Sequence, residues 1–174
     1  MPIIYITGVE GSGKSTISKA LNKYGYSAID IDEQGLSKRY LKGSWKLTKR
    51  LPNSGEISDT WYKEREWKVK PVDLGLIKKQ AGAKPSFVCG ITDNFNEICN
   101  IFDKVICLFL SQDDILLRLK TRTNNTFGKN APEQHYILNK YLDYEAINRN
   151  FGSIMIDASQ PLDMVLEAIL SATK

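Results

Sequence analysis

The chain has 174 residues, enough for one domain with a real core. Its 42 % hydrophobic and 25 % charged residues match a soluble globular protein and exclude a disordered or low-complexity chain. The formal net charge of +4 is too mild to argue alone for nucleic acid, and no apolar run approaches the ~20 residues a bilayer span needs.

No basic region precedes the apolar start, so no signal peptide is expected and the expected location is cytoplasmic. Cys89, Cys99 and Cys107 form no C-x-x-C and lie in apolar segments, as buried free thiols do in a reducing compartment. His135 is the only histidine, which excludes a histidine-rich metal site; it reads as a polar residue on a helix face.

In chain order, residues 2–7 form a buried strand, with Ile3, Ile4, Tyr5 and Ile6 in succession. Then comes Gly8-Val9-Glu10-Gly11-Ser12-Gly13-Lys14-Ser15-Thr16, which fits the phosphate-binding pattern G-x-x-x-x-G-K-[ST]. Glycines let main-chain amides turn inward around phosphate oxygens, and the helix over 14–24 aims its positive end at the same anion. The pattern gives Lys14 to the β- and γ-phosphates of a nucleoside triphosphate and the Ser15 hydroxyl to Mg²⁺. Gly25 ends this helix.

Ser27 to Ile31 is the second strand, and it ends in Asp30-Ile31-Asp32. The i, i+2 spacing puts both carboxylates on one side of an extended strand end. One carboxylate there suits Mg²⁺-bound water and the other suits a proton from an acceptor hydroxyl; a solvated turn or a helix cap is the plain alternative. The stretch from Gly35 to Val72 has no clean period and is expected to be partly helical, inserted over the upper edge of the sheet. It carries a basic run with Lys38, Arg39, Lys42, Lys46, Lys49 and Arg50, and a loop at Pro52-Asn53-Ser54-Gly55. Trp45, Trp61 and Trp67 read as core packing, with stacking on a ring-shaped acceptor as the alternative. The basic run reads as a solvated face, with an anionic acceptor or nucleic acid as alternatives.

Leu74, Ile77, Lys78 and Ala81 predict a helix closed by Gly82. Ser86 to Cys89 is the third strand, with Gly90 at its end. Phe95, Ile98, Cys99 and Phe102 share one helical face. Val105 to Leu110 is a buried parallel strand, and Ser111 to Asp114 a variant capping box for the next helix. On that helix Arg118 and Arg122 are four apart, so they share a face that opens onto a polar loop, Thr121 to Ala131. One guanidinium there could stack on a base and the other hold a transferring phosphoryl, with Lys129 closing over them. Pro132 starts a helix carrying Leu138, Tyr141, Leu142 and Glu145. Ser153 to Ile156 is the last strand, and Leu162, Val165, Leu166, Ile169 and Leu170 mark a terminal amphipathic helix.

Strands and helices alternate, which predicts a mainly parallel sheet with helices on both faces. Ligands in such folds bind beyond the carboxyl ends of the strands. The glycine-rich loop, Asp30 to Asp32, Gly90 to Asn94 and Asp157 to Pro161 are therefore expected to converge.

Together, Gly8 to Thr16, the acidic pair, Arg118-x-x-x-Arg122 before a polar loop and Ile156-Asp157-Ala158-Ser159-Gln160-Pro161 resemble the small P-loop kinases: adenylate, shikimate and gluconate kinase. The likeness spans most of the chain except about 36–85. It implies an α/β three-layer sandwich with a five-stranded, mainly parallel sheet of order 2-3-1-4-5. It implies one domain over 1–174, with a substrate-binding insertion at about 36–70 and a lid at about 121–132. By the resemblance, ATP and Mg²⁺ occupy Gly8, Glu10, Gly11, Ser12, Gly13, Lys14, Ser15 and Thr16. Arg118 and Arg122 meet adenine and phosphates, and Ser159, Gln160 and Pro161 lie against the adenine.

Asp30-Ile31-Asp32 is similar to the Asp-x-Asp of shikimate and gluconate kinases. That likeness gives Asp30 to Mg²⁺ and Asp32 to the hydroxyl proton of a small-molecule acceptor such as a nucleoside, a sugar acid or a shikimate-like alcohol. Arg39, Gly90, Asp93 and Asn94 complete the expected acceptor site, with contact to Mg²⁺-bound water or capping of the next helix as the alternatives for Asp93 and Asn94. Arg39 sits about where nucleoside monophosphate kinases keep an acceptor-phosphate arginine, so that activity is an alternative. Those kinases, however, keep Asp-Gly-[Phe/Tyr]-Pro-Arg after the third strand, where this chain has Cys89-Gly90-Ile91-Thr92-Asp93-Asn94. A nucleic-acid-binding NTPase or polynucleotide kinase, and a purely hydrolytic NTPase, are the readings from other classes. A monomer or homodimer without nucleic acid or membrane partners is expected.

Overall fold

The computed structural model describes residues 2–48, 59–80, 82, 84–123 and 125–173. Lys49, Arg50, the Pro52–Gly55 loop, Ala81 and Asn124 lie outside the described residues.

Five strands make the main sheet: β1 (Ile3–Thr7), β2 (Ser27–Asp30), β5 (Ser86–Cys89), β6 (Lys104–Phe109) and β7 (Ile154–Asp157). Every pairing is parallel and the order is β2-β5-β1-β6-β7. Counted within this sheet alone, that is 2-3-1-4-5, the expected order; the labels differ because two unexpected strands intervene in the chain. Central β1 is buried along its whole length, as a sheet covered on both faces requires. Its side chains alternate. Ile4 and Ile6 pack with Ile17, Leu21, Val165 and Ile169 of α1 (Lys14–Lys23) and α7 (Leu162–Ala172). Ile3 and Tyr5 face the other way, onto Leu74, Phe95, Ile98 and Phe102.

Leu74 belongs to α3 (Pro71–Lys79), which ends with Gln80 as its cap, not at Gly82. The four apolar residues expected on one helix face split between a short α4 (Phe95–Ile98), a 3-10 turn (Cys99–Ile101) and extended Phe102, yet Phe95, Ile98 and Phe102 are all buried. Ser111 caps α5 (Gln112–Thr121), its hydroxyl accepting from the Asp114 N–H at 3.1 Å. In α6 (Ala131–Phe151) the buried stripe is Ile137, Tyr144 and Asn148, while Leu142 is exposed. His135 is exposed on this helix, as expected.

The main correction concerns 36–70. Strands β3 (Ser37–Leu41) and β4 (Arg65–Val69) pair antiparallel as a separate ribbon, with short α2 (Asp59–Lys63) before β4. Arg39 stands opposite Trp67 in this ribbon. Asn94 staples the ribbon to the sheet: its Nδ2 donates to Val69 O at 3.0 Å and its Oδ1 accepts from Val69 N at 3.3 Å. Cys89, Cys99 and Cys107 are free thiols, two of them buried. Among the described residues no helix is long and apolar enough to cross a membrane.

Candidate active site

The expected crevice exists. A cleft of about 1510 Å³ opens at the carboxyl end of the sheet. One wall is Glu10 to Ile17, another is Arg39, Trp61, Tyr62 and Trp67, and Arg118, Arg122, Phe127, Ala158 and Gln160 close the far side. Asp32 and Ile91 sit at its floor.

The glycine-rich loop needs its glycines sterically. Gly8 has φ +148°, and a Cβ there would lie 2.6 Å from the Leu108 carbonyl oxygen. Gly13 caps α1 in the left-handed region, at φ 99°. Lys14 is folded back, its Nζ donating to Gly8 O at 2.7 Å and Val9 O at 2.9 Å. The Ser12 hydroxyl is buried and has no hydrogen-bond partner in the loop. Orphaned donors around a helix N-terminus suit a phosphate group.

No cluster of three or more His, Cys, Asp or Glu side chains is placed to hold a metal among the described residues. Ser15 lines the cleft beside Lys14. Asp30 does not reach the cleft. It is buried, and its Oδ1 accepts the N–H groups of Asp32 and Glu33 at 3.0 Å each, closing the turn after β2.

Asp32 does face the cleft. Its Oδ1 accepts from the Trp67 indole N–H at 2.8 Å and its Oδ2 from the Ile91 N–H at 3.2 Å. Burial raises its pKa, against the pull of nearby Lys14 and the Trp67 hydrogen bond.

Arg118 and Arg122 both line the cleft, but not from one helix face. Arg118 lies in α5 and donates from Nη2 to Ala158 O at 2.7 Å, joining the helix to the 157–161 loop. Arg122 is the extended residue after the helix end. It donates to Phe127 O, its Nε has no partner, and burial pulls its pKa below the ordinary value while Glu10 and Glu133 oppose that shift. Asn130 and Glu133 order the polar loop. The Asn130 side chain accepts from Glu133 N at 3.0 Å, and Glu133 Oε2 accepts from Gly128 N at 2.6 Å. This Asn-x-x-Glu capping pair went unread in the sequence, although its spacing signals it.

Arg39 is half-buried, with its guanidinium 5.6, 5.5 and 5.3 Å from the ring centroids of Trp61, Tyr62 and Trp67. Its Nη1 is buried without a hydrogen-bond partner. Trp61 and Trp67 line the cleft, Trp67 also packs against the core cluster of Val9, Ile91, Leu110 and Ile115, and Trp45 is exposed elsewhere.

Gly90, Asp93 and Asn94 do not line the cleft. Asp93 pairs with Lys140 Nζ at 2.6 Å and with the backbone of Trp67. Gly8, Ser159 and Pro161 also stay off the cleft surface. Asp157 instead accepts from Ser159 N at 2.9 Å and Gln160 Nε2 at 3.2 Å, shaping the turn that presents Ala158 and Gln160.

No protein-family model and no curated protein sequence matches the chain. Solved structures do resemble it. A shikimate kinase from Bacteroides thetaiotaomicron aligns with TM-score 0.60 and 18 % identity over 99 % of this chain and 98 % of that one. A shikimate kinase from Acinetobacter baumannii in complex with shikimate gives TM-score 0.59 and 16 % identity over 99 % and 94 %. A deoxyadenosine kinase from M. mycoides with bound dATP gives TM-score 0.55 and 20 % identity over 98 % of each chain. The chain therefore has the fold that these small P-loop kinases share.

Proposed function

We propose that the protein is a phosphotransferase that moves the γ-phosphoryl of Mg-ATP to a hydroxyl of a small-molecule acceptor. One observation carries the reading: a single cleft is lined by the glycine-rich loop, by the half-buried carboxylate of Asp32, and by Arg39, Trp61 and Trp67. Phosphoryl transfer asks the protein for positioning and charge neutralisation, and these groups supply both.

In this reading the loop amides and Lys14 hold the β- and γ-phosphates, with Ser15 as the magnesium ligand and Asp30 supporting the turn next to it. Bound magnesium neutralises phosphate charge. The acceptor O–H breaks as its oxygen bonds the γ-phosphorus; Asp32 takes the proton, and the bond from the γ-phosphorus to its bridging oxygen breaks to leave ADP. Arg118 and Arg122 stabilise charge on the phosphoryl and hold the base, with Gln160 beside it. Residues 36–70 bind the acceptor and 121–132 act as the lid.

The unpartnered Nη1 of Arg39 favours one second reading, a nucleoside monophosphate acceptor whose phosphate it would clamp. An ADP-release screen of nucleosides, nucleotides, sugars and sugar acids with Mg-ATP tests both. Acceptor-dependent ADP release with an uncharged or carboxylate-bearing alcohol is expected. Release only with nucleoside monophosphates moves the assignment to the second reading. Release that no acceptor stimulates contradicts both.

A further inference from the structure

Trp67 is 35 positions from Asp32 in sequence, yet its indole N–H meets Asp32 Oδ1 at 2.8 Å. We infer that Trp67 is the positioning residue for Asp32, holding the carboxylate plane so that its free lone pairs face the acceptor hydroxyl. The inference rests on the assignment of Asp32 as proton acceptor.

Three observations support it. First, the carboxylate is gripped from two sides, by Trp67 on one oxygen and the Ile91 N–H at 3.2 Å on the other. Two donors from different elements define its plane, and a carboxylate has about four lone-pair sites, so capacity remains for a substrate hydroxyl. Second, Trp67 is itself fixed at the backbone. Its N–H donates to Asp93 Oδ2 at 2.6 Å, and its carbonyl accepts from Asp93 N at 2.7 Å and from Thr92 Oγ1 at 3.2 Å. The other Asp93 oxygen accepts from Lys140 Nζ at 2.6 Å, which ties the arrangement to α6. Third, the Arg39 guanidinium lies 5.3 Å from the Trp67 ring centroid. A cation over the ring favours electron withdrawal from the indole and so a stronger N–H donor. The bland account is that a half-buried indole needs any acceptor and finds Asp32.

Lys14, Asp30, Tyr5 and Cys89 are the titratable groups that face Asp32 from α1, β2, β1 and β5. None of them is substituted in a Trp67→Phe variant, which removes the indole donor and some ring volume but keeps an aromatic ring beside Arg39.

Two measurements decide the matter, one without any acceptor. In ¹⁵N-labelled protein the Trp67 indole peak, assigned by its loss in Trp67→Phe, should shift as Asp32 titrates, and the shift should vanish in Asp32→Asn. With the acceptor from the screen, Trp67→Phe should lower kcat about tenfold with KM for Mg-ATP within about twofold. It should also move the acid limb of the pH profile upward, because the charged carboxylate loses a hydrogen bond. In an Asp32→Asn background the same change should alter turnover less than about twofold. Asp93→Ala, with the indole intact, should reproduce a weaker form of the effect, which covers a Phe variant that folds poorly. A wild-type kcat and pH profile in Trp67→Phe, or an equal loss in the Asn background, overturns the inference while leaving Asp32 as base. Near-normal turnover in Asp32→Asn removes the base assignment and the inference with it.

Discussion

Tyr62 and Tyr136 stack with ring centroids 3.9 Å apart and planes 16° from parallel. Tyr62 belongs to α2 and lines the cleft with Arg39 and Trp61, and Tyr136 belongs to α6, which follows the polar loop. Phe127 of that loop completes the cluster, 6.5 Å from each ring. The two segments that would move around substrate are thus packed on one another. An aromatic pair adds about 0.5–1.5 kcal/mol beyond its buried area. Tyr136→Ala should therefore loosen both ends, with faster amide exchange in 59–69 and in 125–130. Faster exchange in only one of the two segments would show that they are not coupled through this stack.

Asp32 should trade stability for chemistry. Its carboxyl is held above the ordinary value of 3.8, chiefly by burial. For an acid whose folded pKa is raised, the folded state binds protons more tightly than the unfolded chain. Stability then falls as pH rises from the ordinary value through the folded one, and stays lower above it. Asp32→Asn keeps only one of the two accepted hydrogen bonds, which lowers its stability at every pH, but its melting temperature relative to the wild type should rise between pH 3.8 and pH 8. Turnover should fall about 10²- to 10⁴-fold, more than ATP affinity does. A melting-temperature difference that does not move in the variant's favour between pH 3.8 and pH 8, or loss of ATP affinity with turnover kept, would contradict this role.

Gly90 marks where the second strand's end packs on the third's. A Cβ there would sit 2.3 Å from Ile31 Cγ1 and 3.5 Å from Asp32 Oδ2. Ile31 is fully buried and has no room to give. Gly90→Ala should cost about 1–3 kcal/mol, or roughly 2–10 °C in Tm, and lower turnover by displacing Asp32. An unchanged melting curve would mean that the approach is looser than drawn.

Thiol chemistry offers an independent check of the core. Burial pushes Cys107 up to about 12 and Cys89 well above the ordinary thiol range, whereas Cys99 is half-exposed. The thiolate is the reactive form. A chromogenic disulfide reagent at pH 8 should titrate one thiol quickly in the native protein and three in denaturant. Rapid reaction of more than one native thiol would contradict the packing of β5 and β6.

What the sequence made legible follows from where the physics is local. The phosphate loop is written in consecutive residues, and strands such as Val105 to Leu110 announce themselves as apolar runs because both faces are covered. The ribbon was not legible. Lys38, Arg39, Arg65, Glu66 and Lys68 give it a charged composition that suits a helix surface equally well. Only pairing explains it: Lys68, for example, is buried over Trp45 at 4.3 Å with Glu66 at 3.3 Å. Asp93 and Asn94 carry no local sign of their partners, Trp67 and Val69, which lie about 25 residues upstream in that unpatterned stretch, although Asn94 does sit at the N-cap of α4 as the capping alternative expects. Arg122 does not share the Arg118 face because the helix stops one residue before it, at Thr121.

The central claim, that a nucleoside triphosphate sits in the loop from Gly8 to Thr16, is tested most directly by calorimetric titration of Mg-ATP into wild type and Lys14→Ala. The account predicts saturable one-site binding to the wild type and, in the folded variant, phosphoryl transfer reduced at least about 10²-fold. Wild-type protein that is folded yet takes up no magnesium nucleotide, or a Lys14→Ala enzyme with near-normal turnover, would contradict it.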